Sequence, residues 1–73
     1  MDGNMKERIA DWYAREYPTD PQVGNLWTWV TFEEAANEIK ATGRLVCERY
    51  GSWLDSAVVE NIYRETKRRM GGN

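Results

Sequence analysis

The chain has 73 residues, and its ten basic and twelve acidic side chains give a formal charge of −2. Cys47 is the only cysteine and histidine is absent, which excludes an intrachain disulfide and removes the commonest zinc ligand and general base. The acidic balance argues against a general nucleic-acid binder, which is normally basic. A chain of this length forms one domain, residues 1–73, and buries only about 60 % of its unfolded surface, so its core is marginal.

No apolar run reaches the roughly 18–20 residues that cross a membrane. Residues 1–4 lack the basic and then apolar pattern of a signal peptide. An unpaired thiol without an export signal favours a cytoplasmic protein. The sequence therefore predicts a soluble cytoplasmic domain.

The first helix is predicted over about residues 4–17. Asn4 and Glu7 have the spacing of a capping box at its start. Pro18 ends it, because proline disfavours helical backbone in the residue before it. An apolar stripe at helical spacing comprises Met5, Ile9, Trp12, Tyr13 and Tyr17.

Residues 18–30 are predicted to form a long irregular loop that contains Trp27 and Trp29. Two indoles in a loop are typical of an interface anchor, since tryptophan is enriched among binding hot spots. The alternative is that both fold back and fill the gap between the first two helices. We favour the alternative, because a domain without disulfides or metal needs aromatic mass in its core. A mixed outcome, with one indole buried and one partly exposed, is also open.

The second helix is predicted over about 32–42, because Thr31 and Glu34 form a capping box and Gly43 supplies a left-handed end. A short third helix follows over about 44–50, where β-branched Val46 leaves an extended conformation open. The last main helix covers about 53–70, with Ser52 or Asp55 as its cap.

These elements predict an all-α fold, a small bundle of three main helices and one short helix with a long Trp-containing loop. The apolar positions of the helices define the expected core. It comprises Ile9, Trp12, Tyr13, Phe32, Ala36, Ile39, Leu45, Val58 and Ile62.

The end of the last helix is basic and could contact phosphates through Arg64, Lys67, Arg68 and Arg69. Cations are favoured there in any case, because they interact well with the negative end of the helix dipole. Glu60 with Arg64, and Glu65 with Arg69, have the spacing of helical ion pairs. A solvated face is the favoured interpretation.

Other chemistries find no support in the sequence. A helix-turn-helix fails at the turn, because bulky Ile39 stands four positions before Gly43. Glu34 and Glu38 lie four apart without partner ligands, which is typical of a solvated edge. Cys47 has no histidine to activate it and is expected to be an inert core thiol. We expect no enzyme, no cofactor and no metal site.

Three segments resemble short uncharacterised proteins of bacteriophages and prophages: "YPTD" at 17–20, "TFEE" at 31–34 and "DSAV" at 55–58. The resemblance implies a small accessory protein of unassigned role. It supplies no catalytic residues.

The leading functional prediction is a non-catalytic protein-interaction module whose surface includes Trp27, Trp29 and Trp53. One alternative is an accessory protein that binds nucleic acid through the basic C-terminal helix. The other is a purely structural homodimer, with the apolar loop as a self-complementary patch. The partner is accordingly an unidentified protein or a second copy, with nucleic acid and membrane disfavoured.

Overall fold

The computed structural model describes residues 4–71, and every regular element within that range is helical. The predicted all-α class is confirmed. The helices are α1 (Ile9–Glu16), α2 (Phe32–Thr42), α3 (Cys47–Tyr50) and α4 (Ser56–Arg69), and a short 3-10 helix covers Pro21–Asn25. Helix α2 packs against α4, and α1 packs against the 3-10 helix.

Helix α2 begins and ends where the sequence predicts. The Thr31 hydroxyl accepts from the Glu34 amide at 3.5 Å, and the Glu34 carboxylate accepts from the Thr31 amide at 3.2 Å, which completes the capping box. Gly43 adopts φ 80°, and its amide donates to the Ile39 carbonyl at 2.7 Å. Both ends are fixed by neighbours in sequence, which is why local pattern was sufficient here.

Helix α1 starts at Ile9, so the predicted start at Asn4 is wrong. The Asn4 side chain accepts from the amide two residues on, at 3.0 Å, and does not cap α1. The Glu7 carboxylate, the expected second half of a capping box, instead binds Arg15 at 2.6 Å and Arg69 at 3.0 Å.

The residues before α1 form an antiparallel backbone crossing with those before α2. The carbonyls of Met5 and Glu7 accept from the first two amides of α2, which have no partner within that helix. This long-range capping holds residues 5–8 out of a helix. The bonds join Glu33 N to Met5 O at 2.7 Å, Phe32 N to Glu7 O at 3.1 Å and Ile9 N to Val30 O at 2.8 Å.

Helix α3 is a single turn rather than the predicted 44–50, because the extended Val46 amide donates to the Glu38 carboxylate at 2.8 Å. The same carboxylate accepts from the Tyr50 hydroxyl at 2.5 Å and pairs with Arg49 at 3.3 Å. Burial, and then the bond to Glu38, raise the pKa of the Tyr50 phenol. Glu38 therefore ties α3 to α2 and is not the solvated side chain that the sequence predicted.

Helix α4 starts at Ser56, not at 53. The Asp55 carboxylate accepts from the Val58 amide at 3.1 Å and caps the helix, as one of the two sequence alternatives predicted. Trp53 has φ 62°, which is incompatible with a right-handed helix.

A second antiparallel crossing joins Leu26 to Gly51. The Trp27 amide donates to the Tyr50 carbonyl at 2.6 Å, and the amide of the residue after Gly51 donates to the Asn25 carbonyl at 2.9 Å. A Cβ at position 51 would collide with the Asn25 carbonyl and would lie 2.9 Å from the Leu26 Cα. Only glycine at position 51 lets the two backbone segments approach this closely.

Gly51→Ala is accordingly expected to lower the free energy of unfolding by about 1–3 kcal/mol, because two backbones must separate to admit one methyl group. Gly24→Ala is the matched control, since a Cβ there meets nothing within 4 Å. Urea denaturation of both variants, followed by circular dichroism, measures the difference. Equal stability of the two variants would contradict the close crossing.

The predicted core is buried with one exception, since Leu45 is only half-buried. Four further buried side chains complete the core: those of Leu26, Val30, Tyr50 and Leu54. They enter it through the two crossings and the link into α4.

Candidate functional site

Trp27 and Trp29 lie at the surface, with exposed fractions of 38 % and 58 %. The favoured prediction, that both indoles fill the gap between α1 and α2, is therefore wrong. Trp12 fills that role, and its ring contacts Phe32 edge to face at a centroid distance of 5.4 Å. The reason is visible in their neighbours, because Leu26 and Val30 point into the core and leave the residues between them facing solvent.

The segment that carries these indoles is held in place on both sides. The Leu26 side of the segment is fixed by the crossing with Gly51, and the Val30 carbonyl accepts from the Ile9 amide. The indole N–H of Trp27 donates to the Glu48 carbonyl at 3.3 Å. The loop thus presents its indoles from a pinned backbone.

Trp53 is the third exposed indole, and 87 % of it is accessible to solvent. Its φ of 62° is a left-handed conformation, which costs a bulky residue on the order of 1–3 kcal/mol. An indole so exposed gains almost no packing in return. A strained residue without a stabilising contact points to a role outside the folded monomer.

The three exposed indoles do not stack on one another. The aromatic ring contacts found within residues 4–71 all belong to one cluster, and Trp12, Tyr13, Tyr17 and Phe32 form it. Trp27 and Trp53 flank the Leu26–Gly51 bridge, whereas Trp29 lies beside the other crossing. Three indoles are therefore exposed without stacking on one another, and the fourth, that of Trp12, lies in the core.

A groove of about 380 Å³ runs along α4, next to the segment that contains Trp53. Its walls come from residues 43–47 and from one face of α4, which the sequence could not bring together without the fold. We call this the α4 groove. It is lined by the apolar residues Leu45, Val59 and Tyr63, by Gly43 and Cys47, and by the polar residues Arg44, Ser56 and Glu60.

Arg69, one of the four predicted phosphate ligands, is buried. Its guanidinium binds Glu65 at 2.7 Å and Glu7 at 3.0 Å, and donates to the Asn4 carbonyl at 2.7 Å. The guanidinium carbon also lies 3.9 Å from the centroid of the Phe32 ring. Arg69 therefore joins the two ends of the chain and cannot reach a phosphate.

The other three cations of the predicted face also have local partners. Arg68 binds both oxygens of Glu65, at 3.0 and 2.6 Å, and Arg64 binds the side chain of Asn61 at 2.6 Å. The Nζ atom of Lys67 lies 5.6 Å from the centroid of the Tyr63 ring. The expected ion pair of Glu65 with Arg69 forms. Arg64 binds Asn61 and not Glu60, its expected partner.

The carboxylates of this network make folding sensitive to acid. Hydrogen bonds from Arg15 lower the pKa of Glu7 below its ordinary 4.5, and hydrogen bonds from Arg68 lower the pKa of Glu65 in the same way. Both side chains are mostly buried, at 17 % and 13 % exposure. A carboxyl whose pKa is depressed on folding stabilises the protein above its unfolded pKa, and that contribution is lost as the pH falls through the folded value.

We therefore expect the free energy of unfolding to fall as the pH drops below about 4.5. Glu65→Gln has no carboxyl to titrate at this site, so it is expected to be less stable at pH 7 but to lose less between pH 7 and pH 3. Urea denaturation at a series of pH values tests the difference in slope. Parallel curves for the two proteins would contradict a depressed pKa at Glu65.

Within the described range, no three side chains of the metal-binding types His, Cys, Asp and Glu come together as a group. No helix in the same range is both long and apolar enough to cross a membrane. The exposed indoles and the α4 groove are thus the features with which a function can be argued. No family model, curated protein or solved structure matches this chain.

Proposed function

We propose that this protein is a non-catalytic protein-interaction module, a small accessory factor of the phage type, whose partner-binding surface centres on Trp27 and Trp29. The observation that carries the proposal is the exposure of these two indoles on a pinned loop, in a domain that places Trp12 in its core. Tryptophan is enriched among the few residues that carry most of the energy of an interface. Trp53, the third indole of the predicted surface, is also exposed and follows Gly51 by two residues.

The exposed area of Trp29 is large enough to matter. A buried aromatic side chain removes about 150–250 Å² from water, and Trp29 is still 58 % accessible. Burying the remainder against a partner is worth about 2–4 kcal/mol at about 25 cal/mol per Å². That is the magnitude of an interface hot spot.

The backbone around the indoles lowers the cost of binding. Leu26 and Val30 are buried at 5 % and 1 % exposure, so the segment between them is already ordered in the free protein. The bond from Trp27 to the Glu48 carbonyl also restrains one of the two rings. A preorganised surface loses less conformational entropy when a partner binds.

The experiment is capture of the partner from lysate of the cells that produce the protein, identification by mass spectrometry, and calorimetric titration of the purified pair. Trp29→Ala is expected to weaken binding at least about 30-fold, with an unchanged circular dichroism spectrum and midpoint of denaturation. Tyr63→Ala, in the α4 groove, is the control for loss of an aromatic ring elsewhere. Unchanged affinity in the folded Trp27→Ala/Trp29→Ala double variant would refute the proposal.

A further inference from the structure

We propose that two copies of this chain associate about a two-fold axis, and that Trp53 of each copy inserts into the α4 groove of the other. This contact is distinct from partner binding by Trp27 and Trp29 and does not depend on it. It assigns an occupant to the groove and a role to the most exposed indole of the described chain.

The first argument is the state of Trp53 in the single chain. Its side chain is 87 % exposed and is not among the residues that line the α4 groove of its own chain. Its φ of 62° raises the energy of the fold, and an indole that is so exposed gains little packing to offset it. Association that buries the indole supplies the missing compensation.

The second argument is the shape and chemistry of the groove. Its volume of about 380 Å³ lies in the range of cavities that hold small organic ligands, which are larger than an indole. Its walls carry Leu45, Val59 and Tyr63, and the last of these offers a ring for an aromatic contact. The groove is therefore large enough to admit an indole, and its lining is mostly apolar.

The third argument is that the projecting indole and the groove lie next to each other. Ser56, three residues after Trp53, lines the groove, and the thiol of Cys47 in its wall donates to the Leu54 carbonyl at 3.2 Å. In a two-fold dimer each residue pair occurs twice, so an adjacent projection and groove on one face can exchange reciprocally. The arrangement closes on two copies and leaves no free groove for a third.

The fourth argument is charge. Arg44 and Glu60 both line the groove, both are exposed, and neither has an ion-pair partner among residues 4–71. In the proposed dimer, Arg44 of one copy lies opposite Glu60 of the other, and the two-fold axis repeats this pair. The surroundings, which include Asp55 and a chain charge of −2, disfavour an anionic lipid surface as the occupant.

The expected dimer is weak. Two indoles contribute about 300–500 Å², and the groove surface that they cover contributes a similar area, so the total lies below a standard interface of about 1,200–2,000 Å². A dissociation constant on the order of 10–100 µM is consistent with an interface of that size. The dimer therefore appears in experiments at high protein concentration.

Sedimentation equilibrium of the full chain, from roughly 1 µM to roughly 1 mM, spans this range. Trp53→Gly is the decisive variant, because glycine accepts the positive φ and keeps the fold while the indole is removed. We expect it to raise the dissociation constant at least about tenfold. Trp29→Ala is the matched control, which removes an exposed indole outside the proposed contact and should leave the dissociation constant unchanged.

A charge exchange tests the geometry separately. Arg44→Glu and Glu60→Arg should each weaken the dimer, because each places like charges opposite one another, and the double variant should restore it. Circular dichroism confirms that each variant is folded. The proposal is overturned if the wild-type protein is monomeric throughout, if Trp53→Gly dimerises as well as the wild type, or if the double variant is no better than the single ones.

Discussion

Arg69→Ala is expected to lower the free energy of unfolding by about 3–5 kcal/mol, the largest effect of any single substitution considered. Arg69 is 5 % exposed and neutralises both Glu7 and Glu65, so its removal leaves two carboxylates close together without their shared cation. The contact with the Phe32 ring and the bond to the Asn4 carbonyl are lost as well. Proteins of this size are stable by only about 4–11 kcal/mol, so the variant should be partly unfolded at 37 °C.

Arg68→Ala is the matched control, since Arg68 binds the same Glu65 carboxylate from a position that is 65 % exposed. Exposed ion pairs are worth about 0–1 kcal/mol, so this variant should stay close to the wild type. Urea denaturation of both variants at pH 7 gives the comparison. If the two substitutions lower the free energy of unfolding equally, the buried network around Arg69 is not what joins the ends of the chain.

Glu38→Ala is expected to cost about 2–4 kcal/mol, because the Glu38 carboxylate is the acceptor for both the Tyr50 hydroxyl and the Val46 amide. Tyr50 is buried at 1 % exposure, so its hydroxyl would be left without its acceptor. The single turn of α3 has no cap of its own and should lose its position against α2. Thermal and urea denaturation measure the loss.

Glu33→Ala on the same helix is the control, since the Glu33 side chain makes only an exposed contact with Lys6 at 3.9 Å. Tyr50→Phe provides a second test, because it removes the hydroxyl that Glu38 accepts from. The double variant Glu38→Ala/Tyr50→Phe should therefore cost less than the sum of the two single variants. Strict additivity would show that the bond between Glu38 and Tyr50 does not couple the two residues.

The parts of the fold that the sequence predicted are those fixed by near neighbours. Helix α2 has its start in the Thr31 and Glu34 capping box and its end in the positive φ of Gly43, and both devices are visible as local pattern. The Asp55 cap of α4 belongs to the same class. Wherever the end of an element was set by residues next to it in the chain, the boundary was correct or was among the alternatives.

The errors come from contacts between distant parts of the chain. Asn4 and Glu7 have the spacing of a capping box. The Glu7 carboxylate, however, binds Arg69, and the Glu7 carbonyl accepts a hydrogen bond from the first turn of α2. Glu38 has the pattern of a solvated side chain but accepts bonds from α3. No local period encodes these partners, so tertiary hydrogen bonding overrode the propensity of each segment.

The tryptophans were misplaced for a related reason. The small size of the domain indicated that its indoles belong in the core, but only that of Trp12 is buried there. In the loop, Leu26 and Val30 are buried, whereas Trp27 and Trp29 are exposed. The direction of the side chains in that loop is set by the two backbone crossings, which lie outside the local pattern. Exposure of the two indoles, the feature on which the proposed function depends, thus became visible only in three dimensions.

The most direct test of the proposed function is fluorine NMR of protein labelled with 5-fluorotryptophan, which gives one resonance for each of the four indoles. In the protein without its partner, the resonances of Trp27 and Trp29 should respond to replacement of H₂O by D₂O, and that of buried Trp12 should not. Addition of the captured partner should shift the Trp27 and Trp29 resonances and remove their solvent response. A Trp29 resonance that is insensitive to solvent in the free protein, or unchanged in the complex, would contradict its role as the centre of the binding surface.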